Sequence, residues 1–298
     1  MGFEPPHIAG QAHEEPGRHR AEGQQAGRCQ HQGLDRHRVV LPLVADGQRI
    51  ALLRQAAVAR FRAHGVALVE GDAALCAQRG VKALVRFRDP VGFQHELFHG
   101  QKWLPRSFQP GRPHGGFVAG RRGLGHVVLI TPVFPQALED FWVRLMGFRY
   151  YGAGAGKGRT AFYRAKLNDA SSHDIAFGLG PGRMGVQHMG LFVQSLRDVG
   201  ETLDIVKQRN IPLQMTLGQH TQDPHVSFYH FSPGGFAIET ITELEPWHED
   251  GFELNPEKLS TWGHELVGPI LGLSVKTPEE VLDPDGQAVL RPWLQAAG

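Results

Sequence analysis

The chain has 298 residues, enough for one large domain or two medium ones. Its 31 Lys and Arg residues nearly balance its 30 Asp and Glu residues, so no bulk charge attracts nucleic acid or an anionic membrane. We therefore expect a small-molecule partner. No run of about eighteen apolar residues is present, and no basic-then-apolar signal segment follows Met1, so we expect a cytoplasmic protein outside the membrane. Two cysteines, Cys29 and Cys76, are too few for a disulfide framework and are interpreted as incidental thiols.

The first forty residues contain few large apolar side chains. Those within residues 1–38 are Met1, Phe3, Ile8 and Leu34. Such a stretch buries too little surface to offset the entropy of ordering, so we predict a disordered tail over residues 1–40. An aberrant start or reading frame is the other interpretation of this composition, and metal or nucleic-acid binding by a His-rich tail is the weaker one.

The segment after the tail repeats a pattern found near the other end of the chain. Residues Asp89–Glu96 match Ser232–Glu239, each a Pro/Gly turn followed by a strand that ends in Glu. Both turns follow a short apolar strand, so each predicts a hairpin. A helix and a strand are expected over Val58–Glu70. We predict a degenerate βαβββ domain over residues 41–118 that lacks a metal-binding histidine.

The C-terminal half begins with a strand that carries a histidine. His126 opens an apolar run that continues to Ile130, and Pro135 is suited to the first position of a helix. A helical apolar stripe follows at Leu138, Phe141, Trp142, Leu145 and Met146. Gly147 is well placed to end this helix. The pattern predicts a strand, then a helix, then further strands.

A second copy of this pattern follows 62 residues later. His188 opens the strand His188–Val193, and Ser195 with Asp198 three residues on indicates the start of a helix. Its apolar stripe is Leu196, Val199, Leu203 and Val206. Asn210 fits the helix end. The repeat predicts an α+β fold of βαβββ modules over residues 123–184 and 185–245, which with a C-terminal extension form a catalytic domain over residues 119–298.

Three residues at the edges of these modules supply a metal-ligand set. An isolated histidine on an apolar strand is more often a core residue. His126 and His188 occupy equivalent positions, however, and Glu239 ends the last strand of the second module. Counting back by one repeat places the counterpart of Glu239 near Phe177, so the first module offers no fourth ligand. Two His and one carboxylate leave positions open on Fe(II) for a substrate and O2, which predicts an oxygenase.

One segment carries a resemblance to a known family. Residues 218–229 read Gly-Gln-His-Thr-Gln-Asp-Pro-His-Val-Ser-Phe-Tyr, and a Ser-Pro-Gly-Gly turn leads from them to Glu239. This segment resembles the signature of type I extradiol ring-cleaving dioxygenases of the 2,3-dihydroxybiphenyl 1,2-dioxygenase kind, in the vicinal oxygen chelate superfamily. The resemblance covers roughly residues 60–265, including Trp262-Gly263-His264. It implies glyoxalase-like modules that form an open barrel around the metal.

The resemblance also implies roles for single residues. His173 would be the acid–base catalyst near the O2 site, with an exposed histidine as the alternative interpretation. His220 and Tyr229 would bind the substrate and help to deprotonate it, although strand tyrosines are more often packing residues. Asp223 would lie on the substrate side and orient a histidine, or else cap a turn. Gln222 stands where the family commonly has Asn. Four further histidines are expected to be non-ligands: His225, His230, His248 and His264.

The activity implied by the resemblance is extradiol cleavage of a catechol-type diol, of the 2,3-dihydroxybiphenyl kind, with O2 and non-haem Fe(II). Mn(II) shares the same ligand set, and the family is usually homo-oligomeric. Two alternatives stay open at this point. One is a non-redox metal-dependent isomerase or lyase of the same superfamily, and the other is a metal-free small-molecule binding module.

Overall fold

The computed structural model of this chain describes most residues between Gly47 and Thr277. The described residues are 47–104, 109–118, 125–154, 160–165, 171–248, 252, 255, 257–272 and 274–277. The tail that we predict over residues 1–40 lies outside this part, so its disorder stays a prediction.

The N-terminal part of the described chain folds as two helices and a small sheet. Its elements are α1 Gly47–Ala63, β1 Val69–Glu70, α2 Ala73–Arg79, β2 Ala83–Arg88 and β3 Gln94–His99. The strands form an antiparallel sheet in the order β1-β2-β3. The predicted hairpin is confirmed, because β2 and β3 pair antiparallel. The Asp89 side chain closes the turn between them by accepting hydrogen bonds from the backbone N–H groups of Val91 and Phe93.

The C-terminal half contains two copies of one unit, as the repeat predicted. The first comprises β4 Val127–Thr131, α3 Gln136–Asp140, a π-helical turn Phe141–Leu145, β5 Phe148–Gly154, β6 Thr160–Ala165 and β7 Ile175–Leu179. The second comprises β8 Gly185–Phe192, α4 Leu196–Gln208, β9 Leu213–His220, β10 His225–Phe231 and β11 Ala237–Glu243, followed by β12 Ser260–Gly263. Each copy is a βαβββ module, so the predicted α+β fold class is confirmed.

The strands of both modules join one nine-stranded sheet in the order β12-β9-β10-β11-β8-β4-β7-β6-β5. At its centre β4 and β8 pair antiparallel, with Val128 opposite His188. Each of these strands also pairs in parallel with the last strand of its own module, β4 with β7 and β8 with β11. The order ends in β12 and β5, in agreement with an open barrel. Strand pairing therefore brings the histidine-bearing strands of the two modules side by side.

The helix ends agree closely with the sequence pattern. Ser195 Oγ accepts a hydrogen bond from the Asp198 N–H at the start of α4, and Asn210 follows its end with a left-handed φ of 53°. Gly147 has a φ of 80° after the π-helical turn. Pro135 is the cap before the first helical residue, one position earlier than predicted, because its ψ of 148° is extended. Within the part of the chain that the structure describes, no helix combines the length and apolar character needed to cross a membrane.

One apolar core joins the N-terminal part to the first C-terminal module. Aromatic rings from both parts meet in it: Phe61, Phe87, Phe93, Phe141, Trp142 and Phe177. The ring centroids of Phe93 and Phe177 are 6.3 Å apart, and those of Phe87 and Phe141 are 6.0 Å apart. Such buried pairs contribute about 0.5–1.5 kcal/mol each beyond the area they bury. The N-terminal hairpin is thus packed against the module that carries His126.

The strand register corrects one position in the repeat comparison. Subtracting one repeat length from 239 placed the counterpart of Glu239 near Phe177, and this position is wrong by one residue. In the parallel pairs, Glu239 lies opposite the residue two positions after His188, and Ala176 lies opposite the residue two positions after His126. Because alternate strand residues face opposite sides, Phe177 lies in the aromatic core and Ala176 on the other face. Alanine offers no ligand atom, so this strand position adds no fourth ligand.

Replacing Gly200 by Ala should stabilise the protein. Gly200 lies within α4, and a Cβ added there meets nothing within 4 Å. The free energy of unfolding, measured by urea denaturation, should rise by about 0.5–1 kcal/mol because glycine loses more backbone entropy in a helix. Gly147→Ala is the matched control and should lose stability, since its φ of 80° disfavours a side chain. An unchanged or lower value for Gly200→Ala would contradict this account.

Candidate metal centre

Three side chains that the sequence pattern singled out meet at one buried point. His126 immediately precedes β4, His188 lies on β8 and Glu239 on β11, and these three strands are neighbours in the sheet. His126 Nε2 lies 2.9 Å from Glu239 Oε2 and 3.0 Å from His188 Nε2. His188 Nε2 lies 3.4 Å from Glu239 Oε2. All three are buried and form a group that could hold a metal ion.

The three separations fit neighbouring positions around one ion. With metal–ligand distances of about 2.1 Å, adjacent octahedral ligands are about 3.0 Å apart and opposite ones about 4.2 Å apart. The observed values of 2.9, 3.0 and 3.4 Å are all closer to the adjacent value. Three such atoms would occupy one face of an octahedron. This facial arrangement of two His and one carboxylate leaves the opposite positions open.

The two carboxylate oxygens of Glu239 have different surroundings. Ser227 Oγ donates a hydrogen bond of 2.6 Å to Oε1. Oε2 is buried and accepts no hydrogen bond from the described residues. Burial raises the pKa of the Glu239 carboxyl, but the adjacent His126 and His188 lower it by more, so the pKa lies well below its ordinary value. A buried, ionised oxygen with free lone pairs is the form that binds a cation.

Neighbouring residues fix both imidazole rings. His188 Nδ1 donates to Gln187 Oε1, and Gln187 Nε2 donates over 3.1 Å to Gln214 Oε1. This leaves His188 Nε2 with a free lone pair, and burial lowers the pKa of His188, which favours the neutral ring. Gly190 stands against the other ring, where an added Cβ would lie 2.5 Å from His126 Cε1. The absence of a side chain at Gly190 therefore makes room for the His126 imidazole.

The three side chains line a cavity of about 540 Å³. Most of the remaining wall is apolar and includes Val128, Ile130, Phe162, Leu179, Met215 and Leu271. The other predicted site residues line the same cavity: His173, His220, Asp223 and Tyr229. A cavity of this size with a few convergent polar groups is typical of a small-molecule site.

His173 is connected to Asp223 through a serine. Its ring centroid is 4.3 Å from that of His126. Ser172 Oγ lies 2.8 Å from His173 Nδ1 and 3.1 Å from Asp223 Oδ2. Because a carboxylate only accepts, Ser172 donates to Asp223 and accepts from His173 Nδ1–H, which leaves Nε2 as a proton acceptor. His173 is buried, so the alternative of an exposed histidine is wrong. Burial lowers the pKa of His173 well below its ordinary value.

Asp223 is itself held by a histidine whose importance the sequence analysis missed. His225 Nδ1 lies 3.3 Å from Asp223 Oδ2, and His225 Nε2 lies 3.5 Å from Glu243 Oε1. Burial opposes the charge on His225, but the Asp223 carboxylate outweighs it and raises the pKa of His225 to about 9. The observation that identifies His225 is the strand register, which sets it opposite Glu243. This register depends on how β10 pairs with β11, so the sequence alone does not reveal it.

His220, at the end of β9, and Tyr229, within the neighbouring β10, form a hydrogen-bonded pair. Tyr229 Oη lies 2.8 Å from His220 Nε2. His220 Nδ1 lies 3.1 Å from the carbonyl oxygen of Leu259, which can only accept, so Nδ1 carries the hydrogen. Tyr229 therefore donates to Nε2. Burial, with the Glu239 charge, raises the pKa of Tyr229 well above its ordinary value.

The further histidines do not join the group of three. His230 packs beside Phe228 on the face opposite Tyr229, as strand alternation predicted. His248 is exposed. The structure thus brings all the predicted site residues to one cavity and adds Ser172, Gln187 and His225 around them.

Comparisons with known proteins agree with this architecture. The profile of the Glyoxalase/Bleomycin resistance protein/Dioxygenase superfamily matches residues 123–240. A biphenyl-2,3-diol 1,2-dioxygenase from Metapseudomonas furukawaii is 31% identical over 229 residues, 75% of this chain and 73% of the relative. An iron-dependent extradiol dioxygenase from Rhodococcus jostii is 33% identical over 215 residues, 68% of this chain and 71% of the relative.

Solved structures show the same similarity. BphC, a halotolerant catechol dioxygenase, has a TM-score of 0.67 and 33% sequence identity, covering 75% of this chain and 74% of the other. A catechol 2,3-dioxygenase has a TM-score of 0.63 and 27% identity, covering 74% of each chain. On this evidence the chain belongs to the type I extradiol dioxygenases of the glyoxalase/bleomycin resistance protein/dioxygenase superfamily.

Proposed function

We propose that this protein cleaves a catechol-type aromatic diol beside its two hydroxyl groups, using O2 and Fe(II). The observation that carries the proposal is the mutual adjacency of His126 Nε2, His188 Nε2 and Glu239 Oε2 in the wall of a largely apolar cavity. A diol of the 2,3-dihydroxybiphenyl kind suits the apolar part of that wall. Relatives named for biphenyl-2,3-diol and an iron-dependent relative support this choice.

The ligand atoms proposed for Fe(II) are His126 Nε2, His188 Nε2 and Glu239 Oε2. Two imidazoles and one carboxylate with open positions suit Fe(II), and Mn(II) shares the set. When bound, the metal supplies a single centre at which the diol and O2 meet and exchange electrons. Binding, orientation and proton transfer are the work of the protein's own side chains. Cytoplasmic location, expected from the sequence, and self-association, implied by the family resemblance, stay predictions.

We assign His220 and Tyr229 to the diol. His220 carries its hydrogen on Nδ1, and its Nε2 accepts from the Tyr229 hydroxyl in this structure. In this proposal the diol takes the place of the Tyr229 hydroxyl at Nε2, which then accepts the proton that a diol hydroxyl releases. Tyr229 stays protonated because burial raises its pKa well above the ordinary value, so it serves as a hydrogen-bond donor. The pair thus provides one acceptor and one donor on the same side of the cavity.

We assign His173 to proton transfer on the side of the O2. Its Nδ1–H is held by Ser172, which is held in turn by Asp223. Nε2 is therefore the atom that takes up and returns a proton. In this proposal Asp223 acts through Ser172 as an orienting carboxylate. Val128 and Phe162 line the same cavity and help to exclude water from it.

Oxygen uptake tests the proposal directly. Protein purified without air and loaded with Fe(II) should consume O2 when 2,3-dihydroxybiphenyl is added and form a yellow ring-opened product. Bound metal without O2 uptake would indicate a non-redox isomerase or lyase instead. Failure to bind metal at all would indicate a small-molecule binding module.

Two variants should separate the metal ligands from the proton-transfer residue. His188→Ala should lose both Fe(II) retention and activity, because one of three ligands is removed. His173→Ala should retain Fe(II) and lose about 10²–10⁴-fold in turnover, the usual contribution of general acid–base catalysis. Metal analysis and O2 uptake check both. His230→Ala, on the opposite face of β10, is the control, and normal cleavage by His188→Ala would show that the ligand assignment is wrong.

Gly190→Ala should weaken Fe(II) binding while leaving the protein folded. The added Cβ would lie 2.5 Å from Cε1 of His126, so the imidazole must move. We expect a loss of about 10–100-fold in affinity, the range seen when a ligand loses its support, measured by competition with a chelator. Gly200→Ala is the matched control because its Cβ meets nothing within 4 Å. Equal affinities in the two variants would refute the packing argument.

The buried pair of Asp223 and His225 should make stability depend on pH. Although burial opposes charge, Asp223 raises the pKa of His225 from 6.5 to about 9. A raised histidine pKa contributes stability in full below the unfolded value and loses it as the pH rises through the folded one. The difference in unfolding free energy between metal-free wild type and His225→Gln should therefore shrink from pH 6.5 to about 9. Urea denaturation measures this, and a constant difference would contradict it.

A further inference from the structure

His264 is a buried histidine to which neither the sequence pattern nor the proposed reaction assigns a role. It follows β12 and is only 6% exposed. It crosses β9 at Gly218, where an added Cβ would stand 2.7 Å from His264 Cγ. Its ring centroid is 4.1 Å from that of His220. The chain thus holds this ring beside the proposed active site without placing it among the proposed metal ligands.

One ring nitrogen of His264 is connected to Glu239 through a serine. Ser227 Oγ donates to Glu239 Oε1 over 2.6 Å, since a carboxylate can only accept. The same Oγ lies 3.1 Å from His264 Nε2, and the Ser227 carbonyl oxygen lies 3.1 Å from it as well. The hydroxyl hydrogen of Ser227 is already committed to Glu239. His264 Nε2 must therefore carry a hydrogen and donate it to Ser227.

The other ring nitrogen is connected to His220 through a second serine. His220 Nδ1–H lies 3.1 Å from the Leu259 carbonyl oxygen and 3.2 Å from Ser260 Oγ. Ser260 Oγ lies 2.9 Å from His264 Nδ1. Burial lowers the pKa of His264 to about 4, so the ring is neutral and, with its hydrogen on Nε2, has a bare Nδ1. Ser260 therefore accepts from His220 and donates to His264.

We propose that His264 is a positioning residue shared by the proposed metal ligand Glu239 and the proposed base His220. The inference rests on the proposed function, which assigns those two roles. Every donor in this chain of hydrogen bonds points the same way, in the order Tyr229, His220, Ser260, His264, Ser227, Glu239. The His264 ring is thus connected to His220 through Ser260 and to Glu239 through Ser227.

His264 would have a different effect on Glu239 than on His220. At Glu239, the Ser227 hydroxyl occupies Oε1 and leaves Oε2 for Fe(II). At His220, the Ser260 oxygen helps to keep the hydrogen on Nδ1, which makes Nε2 the accepting nitrogen. Tyr229 donates to that nitrogen here, and in the proposed reaction the diol replaces it. Loss of His264 should therefore change both Fe(II) affinity and the pH dependence of the reaction. A histidine that merely fills space would change neither.

His264→Phe tests this, because it keeps a planar ring and removes the hydrogen bonds that the two ring nitrogens make to Ser227 and Ser260. The Fe(II) dissociation constant, measured without O2 or diol by competition with a coloured chelator, should rise about tenfold. The acidic limb of kcat/KM for 2,3-dihydroxybiphenyl should shift by about one pH unit. His230→Phe is the matched control on the opposite face of β10 and should change neither. Wild-type behaviour of His264→Phe in either measurement overturns the inference.

Two serine variants decide the matter if His264→Phe does not fold. Ser227→Ala breaks only the connection to Glu239 and should weaken Fe(II) binding. Ser260→Ala breaks only the connection to His220 and should shift the acidic limb with Fe(II) affinity unchanged. An unaltered value of either property in its own variant overturns the inference. If the wild-type protein consumes no O2 with the diol, the proposed function fails, whereas the Fe(II) titrations still decide the role of His264.

Discussion

The structure depends on the close approach of Glu239 Oε2 to two imidazole nitrogens at a buried point of the sheet. Three electron-rich atoms within 3.4 Å of one another, all buried, are costly unless a positive charge balances them. The central strands β4, β8 and β11 fix their backbones through a continuous ladder of hydrogen bonds. The sheet therefore assembles the ligand group, and a cation relieves the cost of assembling it.

A different contact orients each of the three side chains proposed as metal ligands. A glutamine amide sets the tautomer of His188, a serine hydroxyl occupies one oxygen of Glu239, and a missing side chain at Gly190 makes room for His126. Ser227 and Gly190 act from outside the lining of the cavity, whereas Gln187 is part of it. Most of the remaining wall is apolar.

Two hydrogen-bonded chains lead to residues that line the cavity. One runs from the pair of Asp223 and His225 through Ser172 to His173, and the other passes through His264. In both, a group that can only accept stands at an end, and this fixes the direction of every hydrogen bond between. Carboxylates and carbonyl oxygens in these chains thus set the tautomers of His173, His220 and His264.

The sequence by itself determined the repeated modules, the hairpins and the three residues proposed as metal ligands, because these follow from local periodicity, turn residues and one motif read over short distances. Tertiary structure alone decided the register that replaces Phe177 by Ala176, the pairing of His225 with Glu243 and the place of His264. Each of these contacts joins strands or segments whose alignment depends on packing across the whole sheet, and a shift of one residue would reverse the faces. No local pattern in the chain records that alignment.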